Sequence, residues 1–487
     1  MPASPVPGEF RSGPLLLRDA ALFTDLYELT MAAAFFREGM RETATFSLFA
    51  RRLPDARAFI VAAGLEDALE YVRSLRFTSD ALAWLRSLGR FEAAFLDHLA
   101  GLRFTGEVRA VAEGTVVFPE EPILEVTAPL IEAQLLETAL LNICHLQSVL
   151  ASKAARVGIA ARGRAVAEFG LRRSHGSDAG LKAARCAWIA GCESTSDVLA
   201  GKTWGIPLSG TMAHSFVTAF SDELEAFRAY ARAFPNTAIL LIDSYDTVEG
   251  ARKAVTVARE LAAAGKSLTG VRLDSGDLLT LSREVRRILD QAGFPGIRIL
   301  ASGGLDEHDV ERLLALDAPI DAFGIGTRLN VSADAPSLDL VYKLVRYGDR
   351  DVLKLSEGKE TWVGSKAVYR TYRSDGRAGG DLLALAGEPP PDEGERLLET
   401  VMHGGELVHP HPALDRIRER CAAQLSVLPE GLRRLSGHDT YPVRPSAALR
   451  AGQDQAVAAT RGRLHAVQKF AVTPPSTRRP ITDPPNS

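Results

Sequence analysis

Four stretches decide the fold: AILLIDSYDT (238–247), GVRLDSGDL (270–278), IRILASGG (297–304) and IDAFGIGT (320–327). Each is a short apolar run that ends abruptly in Asp, Ser, Gly or Thr, and helical stretches of roughly ten to fifteen residues separate them. Runs too short for a helix, rich in Ile, Val and Leu, are the mark of βα units. Their strands lie parallel because each crossover helix returns the chain to the same end of the sheet. Toward the N-terminus, AVAEFG (165–170) and IPLSGT (206–211) read as two further strands. The expected fold is α/β, with a barrel-like catalytic unit whose chemistry sits at the carboxyl ends of the strands.

The flanks read differently. Upstream lie a helix after Thr24, the alternating strand TATFSLFA (43–50), and short strands between Arg103 and Thr127 broken by Gly106, Gly114, Pro119 and Pro122. Pro129 then opens a long helical stretch that runs past Ser152. Downstream of Asp339, LVYKLV and AVYRTY read as strands, and a helix-and-loop region contains GERLLETVMHGGEL. The expected organisation is an N-terminal α+β domain over 21–150, a barrel over 151–338, and a C-terminal region over 339–472 that packs back on the N-terminal domain. Pro-rich polar ends, 1–20 and 473–487, are expected to be mobile tails.

Composition narrows the function. The 487 residues suffice for two or three domains, and 46% hydrophobic with 24% charged residues is the balance of a globular protein. A formal charge of -4 without a strongly basic half argues against nucleic acid as partner. Cys144, Cys186, Cys192 and Cys421 show no metal-knuckle or disulfide spacing and are expected to be reduced. The N-terminus lacks the pattern of a secretory signal, and no run approaches the ~18 apolar residues of a membrane span, so the expected location is cytoplasmic, away from the membrane.

The strand ends gather chemistry: Glu168, Phe169 and Arg172, then Thr211 and His214, Asp243, Arg272 and Asp274, Ser302 with Gly303 and Gly304, and last Gly324, Gly326 and Thr327. Glycine turns before helices expose N–H groups suited to a phosphate monoester. Arg172 and Arg173 could grip a pyrophosphate or carboxylate, and Phe169 offers a flat face for an aromatic ring. Asp243 and Asp274 could serve a ribose hydroxyl, Mg²⁺ or a histidine. His214 could act as base, ligand or nucleophile, with Asp243 fixing its tautomer. Plainer roles compete: Asp243, Asp246, Asp277 and Asp306 could be turn formers and helix caps, the glycines tight turns, Arg172 and Arg173 solvated, and Phe169 core. The coincidence of six strand ends favours a site for one sugar phosphate and one flat acid.

The segments TDLYELTMA (24–32), EFGLRRSHG (168–176), SGTMAHSFV (209–217), LLIDSYDT (240–247), VRLDSGDL (271–278) and FGIGT (323–327) together resemble the nicotinate phosphoribosyltransferases, from about Leu22 to Val345. The resemblance implies a type II phosphoribosyltransferase fold, an irregular α/β barrel beside an α+β domain built from both chain ends, working as a homodimer with shared sites. It implies a ligase-class enzyme of NAD biosynthesis that uses nicotinate, phosphoribosyl pyrophosphate and ATP, with Mg²⁺. On this resemblance Tyr27 reaches the partner's site, where it and Phe169 sandwich the pyridine ring. Thr211 and Arg272 hold nicotinate, His214 is phosphorylated by ATP with Asp243 orienting it, Arg172 meets phosphate, Asp274 the ribose or metal, and Gly326 with Thr327 the 5′-phosphate. Asp197 stands where nicotinamide-using relatives carry an acid, which makes a nicotinamide phosphoribosyltransferase the alternative. A quinolinate-type transferase and a non-catalytic nucleotide-binding barrel are the others, against which the AHSF context and intact His214, Asp243 and Arg272 weigh.

Overall fold

The computed structural model describes residues 19–355 and 361–471. The expected tails, 1–20 and 473–487, lie outside the described residues except for Asp19 and Ala20.

Six parallel strands form the catalytic sheet: β1 (Ala165–Glu168), β2 (Ser194–Thr195), β3 (Ile239–Leu241), β4 (Gly270–Leu273), β5 (Arg298–Ala301) and β6 (Ala322–Ile325). Their order across the sheet is β2-β1-β6-β5-β4-β3. The curled sheet leaves β2 and β3 as free edges, so it is a half-barrel. Five of the expected strands are present. IPLSGT is not a strand: Leu208 makes only an isolated bridge to Thr195. Pro207 lacks an N–H to donate, and Leu208 is 55% exposed, so the segment runs along the edge of β2 without joining the sheet.

The crossover helices begin where the strand-end aspartates stand. Asp246 caps Thr247–Ala263, Asp277 caps Leu278–Gln291, and Asp306 caps Glu307–Ala315 through a reciprocal capping box. Capping is therefore the role of these three, and Asp243 is the strand-end aspartate that caps nothing.

Beside the half-barrel lies a seven-stranded antiparallel sheet, ordered Arg350–Asp351, Leu340–Tyr347, Thr43–Ala50, Pro122–Pro129, Glu107–Val111, Leu398–His403 and Glu406–Leu407. Both chain ends thus contribute to one second α+β layer. GERLLETVMHGGEL, expected as helix and loop, is instead an edge hairpin in which Leu398 and Met402 are buried and Gly404 and Gly405, at φ +60° and +82°, make the turn. Two adjacent glycines at positive φ are turn residues that no helix tolerates well.

The helix Glu137–Ala161 joins the two layers. Leu140, Cys144 and Val149 on its first half belong to the core under the antiparallel sheet, and Leu150, Ala154 and Val157 on its second half to the core around the parallel one. With the short helix before it, Leu130–Ala161 is long and apolar enough to cross a membrane, but it is mostly buried and is the molecule's central helix. All four cysteines are buried and unbonded.

Candidate active site

Inward-facing residues of the half-barrel are small where a ligand needs room. On β6, a Cβ at Gly324 would stand 2.6 Å from the Phe169 ring, so glycine there is what lets the ring fold over the strand. One face of Phe169 rests on Gly324, and the residue remains partly exposed above the sheet.

Arg272, at the end of β4, is the least satisfied cation of the site. Its Nη1 donates to Thr211 Oγ1 at 2.6 Å, while its buried Nε has no partner. The nearest carboxylate oxygen, Asp274 Oδ1, is 4.0 Å away, and only 13% of the Arg272 side chain is exposed. Burial and the nearby Arg172 guanidinium both push its pKa down from the usual arginine value. A desolvated guanidinium with an idle N–H and a cationic neighbour is chemically suited to hold an anion.

His214 opens the helix His214–Thr218, and its side chain is 44% exposed. The expected hydrogen bond to Asp243 is absent: His214 Nδ1 lies 3.0 Å from Ser244 Oγ instead. Its Nε2 faces Asp274 Oδ2 at 3.9 Å. Asp243 Oδ2 accepts from the Asp274 backbone N–H at 3.0 Å and from Ser275 Oγ at 2.5 Å, and its Oδ1 is buried without a partner. Adjacent residues at a strand end point to opposite sides, so one position separates the expected partner from the observed one.

The glycine turns lie on neighbouring strands. Gly303 has φ +101° and a Cβ there would sit 1.8 Å from the Asp274 carbonyl oxygen, so only glycine fits; Gly304, at φ +77°, faces open space. Ser302 Oγ donates to Asp274 Oδ1 at 2.5 Å. Gly326 precedes the one-turn helix Thr327–Asn330, with Thr327 exposed. The helix Glu307–Ala315 behind the first turn already holds the Asp306 carboxylate at its N-terminus, which closes that helix end to an anion and leaves the two turns themselves as the candidate cradle. Arg328 ties them by pairing with Asp306.

Arg172 and Arg173 are exposed on the short helix Leu171–Arg173. Glu168 stands at the same strand end but is wholly buried, accepting from the Gly170 N–H and from Thr195 Oγ1. Tyr27 is not part of this assembly within one chain. It lies on Leu26–Arg37, 45% exposed, and the charges acting on it are Glu28, Glu137 and Asp25.

Comparison with known proteins identifies the family. Family models match in three blocks: the nicotinate phosphoribosyltransferase N-terminal domain over 22–145, the family's main model over 165–354, and its C-terminal domain over 393–452. The chain is 50% identical over 429 residues to nicotinate phosphoribosyltransferase pncB2 of Mycobacterium tuberculosis, covering 88% of this chain and 91% of that one. This chain belongs to the nicotinate phosphoribosyltransferase family. A Bacillus subtilis nicotinate phosphoribosyltransferase is 39% identical over 455 residues, covering 87% and 92% of the two chains. The crystal structure of the human nicotinic acid phosphoribosyltransferase superposes with a TM-score of 0.80 at 34% identity, over 89% of this chain and 99% of that one. The family likeness thus extends beyond Val345, where the sequence motifs thin out.

For a nicotinate phosphoribosyltransferase an acid at Asp197 would oppose the substrate carboxylate if it faced the site. Asp197 is 3% exposed and caps the helix Val198–Trp204, its Oδ1 accepting from Leu199 and Ala200 N–H at 2.9 and 3.1 Å. Its charge is engaged by backbone donors. Ser244, absent from the strand-end candidates, is the side chain that meets His214, and its one sequence signal is its place next to Asp243.

Proposed function

We propose that this family member makes nicotinate mononucleotide in NAD salvage with the residues gathered at the strand ends, and that the unpaired Nε of Arg272 is the feature around which the site is built. The nicotinate carboxylate binds Arg272 beside Thr211, with the pyridine ring on the free face of Phe169. The 5′-phosphate of phosphoribosyl pyrophosphate takes the Gly303–Gly304 and Gly326–Thr327 turns, and Arg172 faces the pyrophosphate. The ring nitrogen forms a bond to the anomeric carbon as the carbon–oxygen bond to pyrophosphate breaks, the leaving group departing with both electrons. Oriented N–H donors and guanidinium groups stabilise the charge that develops on it.

Two carboxylates suit a Mg²⁺ that remains largely bound to substrate phosphates and water. Asp274, and Asp243 with its unpartnered Oδ1, are the residues that would hold it. When bound, the ion neutralises charge on the leaving pyrophosphate.

ATP phosphorylates His214 on Nε2, because Nδ1 is engaged by Ser244 and Nε2 is directed toward the substrate side; hydrolysis of that phosphohistidine couples to product formation. The enzyme works in the cytoplasm as a homodimer, in which Tyr27 of the partner subunit closes the second face of the pyridine ring. The 45% exposure of Tyr27, whose electrostatic neighbours within its own chain are Asp25, Glu28 and Glu137, supports that arrangement. Purified protein given nicotinate, phosphoribosyl pyrophosphate, Mg²⁺ and ATP is expected to release pyrophosphate and ADP, with both products tracking nicotinate mononucleotide. No pyrophosphate release would remove the transferase reading, and undiminished ATP hydrolysis in His214→Ala would remove the phosphohistidine.

A further inference from the structure

The antiparallel sheet has two unlike faces because side chains alternate along each strand. Ala44 and Phe46, Val108 and Ala110, and Val126 and Ala128 turn into the apolar core. Their neighbours Thr43, Thr45, Glu107, Arg109 and Thr127 line a cavity of about 430 Å³ on the other face, which Ser365, Arg346 and Arg396 help to enclose. No residue of the parallel sheet lines it, so it is separate from the site described above.

Among the described residues, three arginines and a single carboxylate, Glu107, line this space, with Glu107 3.9 Å from Arg109 and Glu399 3.9 Å from Arg396. Arg109 is 6% exposed, held from behind by Glu125, which Lys366 also pairs, and by Ser365 Oγ. Arg346 and Arg396 are exposed, but each is braced by main chain: Nε donates to the Gly348 carbonyl at 3.2 Å and to the Leu398 carbonyl at 3.1 Å. Fixing Nε against a carbonyl orients the remaining guanidinium N–H groups and lowers the entropy lost when they bind. Between them Thr45 and Thr127 share a hydrogen bond of 3.0 Å, a pair of hydroxyls on the cavity floor.

We infer that this cavity is a second ligand site that takes a compact phosphate polyanion. Planar guanidinium forks and hydroxyls match phosphate oxygens, and the described lining residues include no aromatic ring on which a base would stack. The shared chemistry is a chain of phosphates, either free pyrophosphate or the tail of a nucleotide.

Calorimetric titration of the full-length protein with pyrophosphate, and separately with ATP, tests the assignment. Wild-type protein is expected to show two pyrophosphate sites per chain. The double variant Arg346→Glu with Arg396→Glu is expected to weaken one of them by about tenfold or more while leaving nicotinate mononucleotide synthesis intact. Arg172→Glu, in the transferase site, should leave that cavity site unchanged. Tighter ATP than pyrophosphate binding at the cavity identifies a nucleotide tail, and the reverse order identifies the free anion. An unchanged titration in the double variant, with its melting temperature also unchanged, overturns the inference. The result is independent of turnover: a chain without transferase activity that still loses a site in the double variant would keep the cavity assignment and remove only the proposed reaction.

Discussion

Replacing Arg272 by Met removes the charge and keeps most of the volume. In the free protein the guanidinium makes one side-chain hydrogen bond, to Thr211, and has no carboxylate closer than 4.0 Å. Its burial therefore costs more than its contacts return, and Arg272→Met is expected to stabilise the fold by about 1 kcal/mol, a melting rise of roughly 1–2 °C. Nicotinate loses charge-assisted hydrogen bonds worth about 1.5–3 kcal/mol, so kcat/KM for nicotinate is expected to fall about ten- to a hundredfold. The KM for phosphoribosyl pyrophosphate should stay within about twofold, and discrimination against nicotinamide should shrink, since the amide never used the charge. Steady-state kinetics on both pyridines and a thermal melt suffice. A variant that melts several degrees lower, or that keeps its KM for nicotinate, would refute the assignment of Arg272 as a cation held ready for substrate.

Gly303→Ala places its Cβ on the Asp274 carbonyl, whereas Gly304→Ala meets open space. The first is expected to raise KM for phosphoribosyl pyrophosphate by tenfold or more and the second to cost only about 1 kcal/mol of backbone strain; equal effects would contradict the turn geometry. Arg328→Ala releases the pair that ties the two turns. Because Arg328 is half exposed, stability should change by less than about 1 kcal/mol, while an unaltered KM for phosphoribosyl pyrophosphate would show that the tie is idle. Glu28 is wholly buried, with Gln134 donating to one oxygen at 2.6 Å. Burial lifts its pKa from an ordinary 4.5 to about 7. The folded state therefore holds the proton more tightly, and stability is lost as pH rises from about 4.5 through 7. Denaturant titrations should find Glu28→Gln near wild type at pH 5 and more stable by roughly 2 kcal/mol at pH 8; a constant difference would place the ionisation elsewhere.

Five strands of the half-barrel were legible because each ends where apolar residues stop and polar or glycine residues start, whereas the edge strand Ser194–Thr195 has no apolar run to reveal it; Asp246, Asp277 and Asp306 do cap helices as their positions suggest. IPLSGT misled because its apolar residues resemble a strand, while Pro207 denies it the hydrogen bond that would make one. The hairpin at Leu398–Leu407 carried its own sign, Gly404-Gly405, inside a stretch of good helix formers, and pairing with Glu107–Val111 decided the outcome. At the site, strand-end chemistry pointed to residues that the fold gathers at one end of the sheet but not to their contacts: which of Asp243 and Ser244 meets His214 depends on a single step along the chain. The cluster in which Glu307 meets Lys153 and Arg156, and Asp334 meets Lys153 and Arg57, joins positions nearly 300 apart and has no local signature. Asp197 shows the same limit in reverse, since its place in sequence suggested a charge facing substrate while its carboxylate is spent on a helix end.

A crystal structure of the protein with nicotinate mononucleotide bound would bear most directly on whether these strand ends surround one molecule. The pyridine carboxylate is expected within hydrogen-bonding distance of Arg272 Nε, the ring against Phe169, and the phosphate on the Gly303–Gly304 and Gly326–Thr327 turns. A nucleotide seated away from Arg272, or with its phosphate on another face of the half-barrel, would contradict the account.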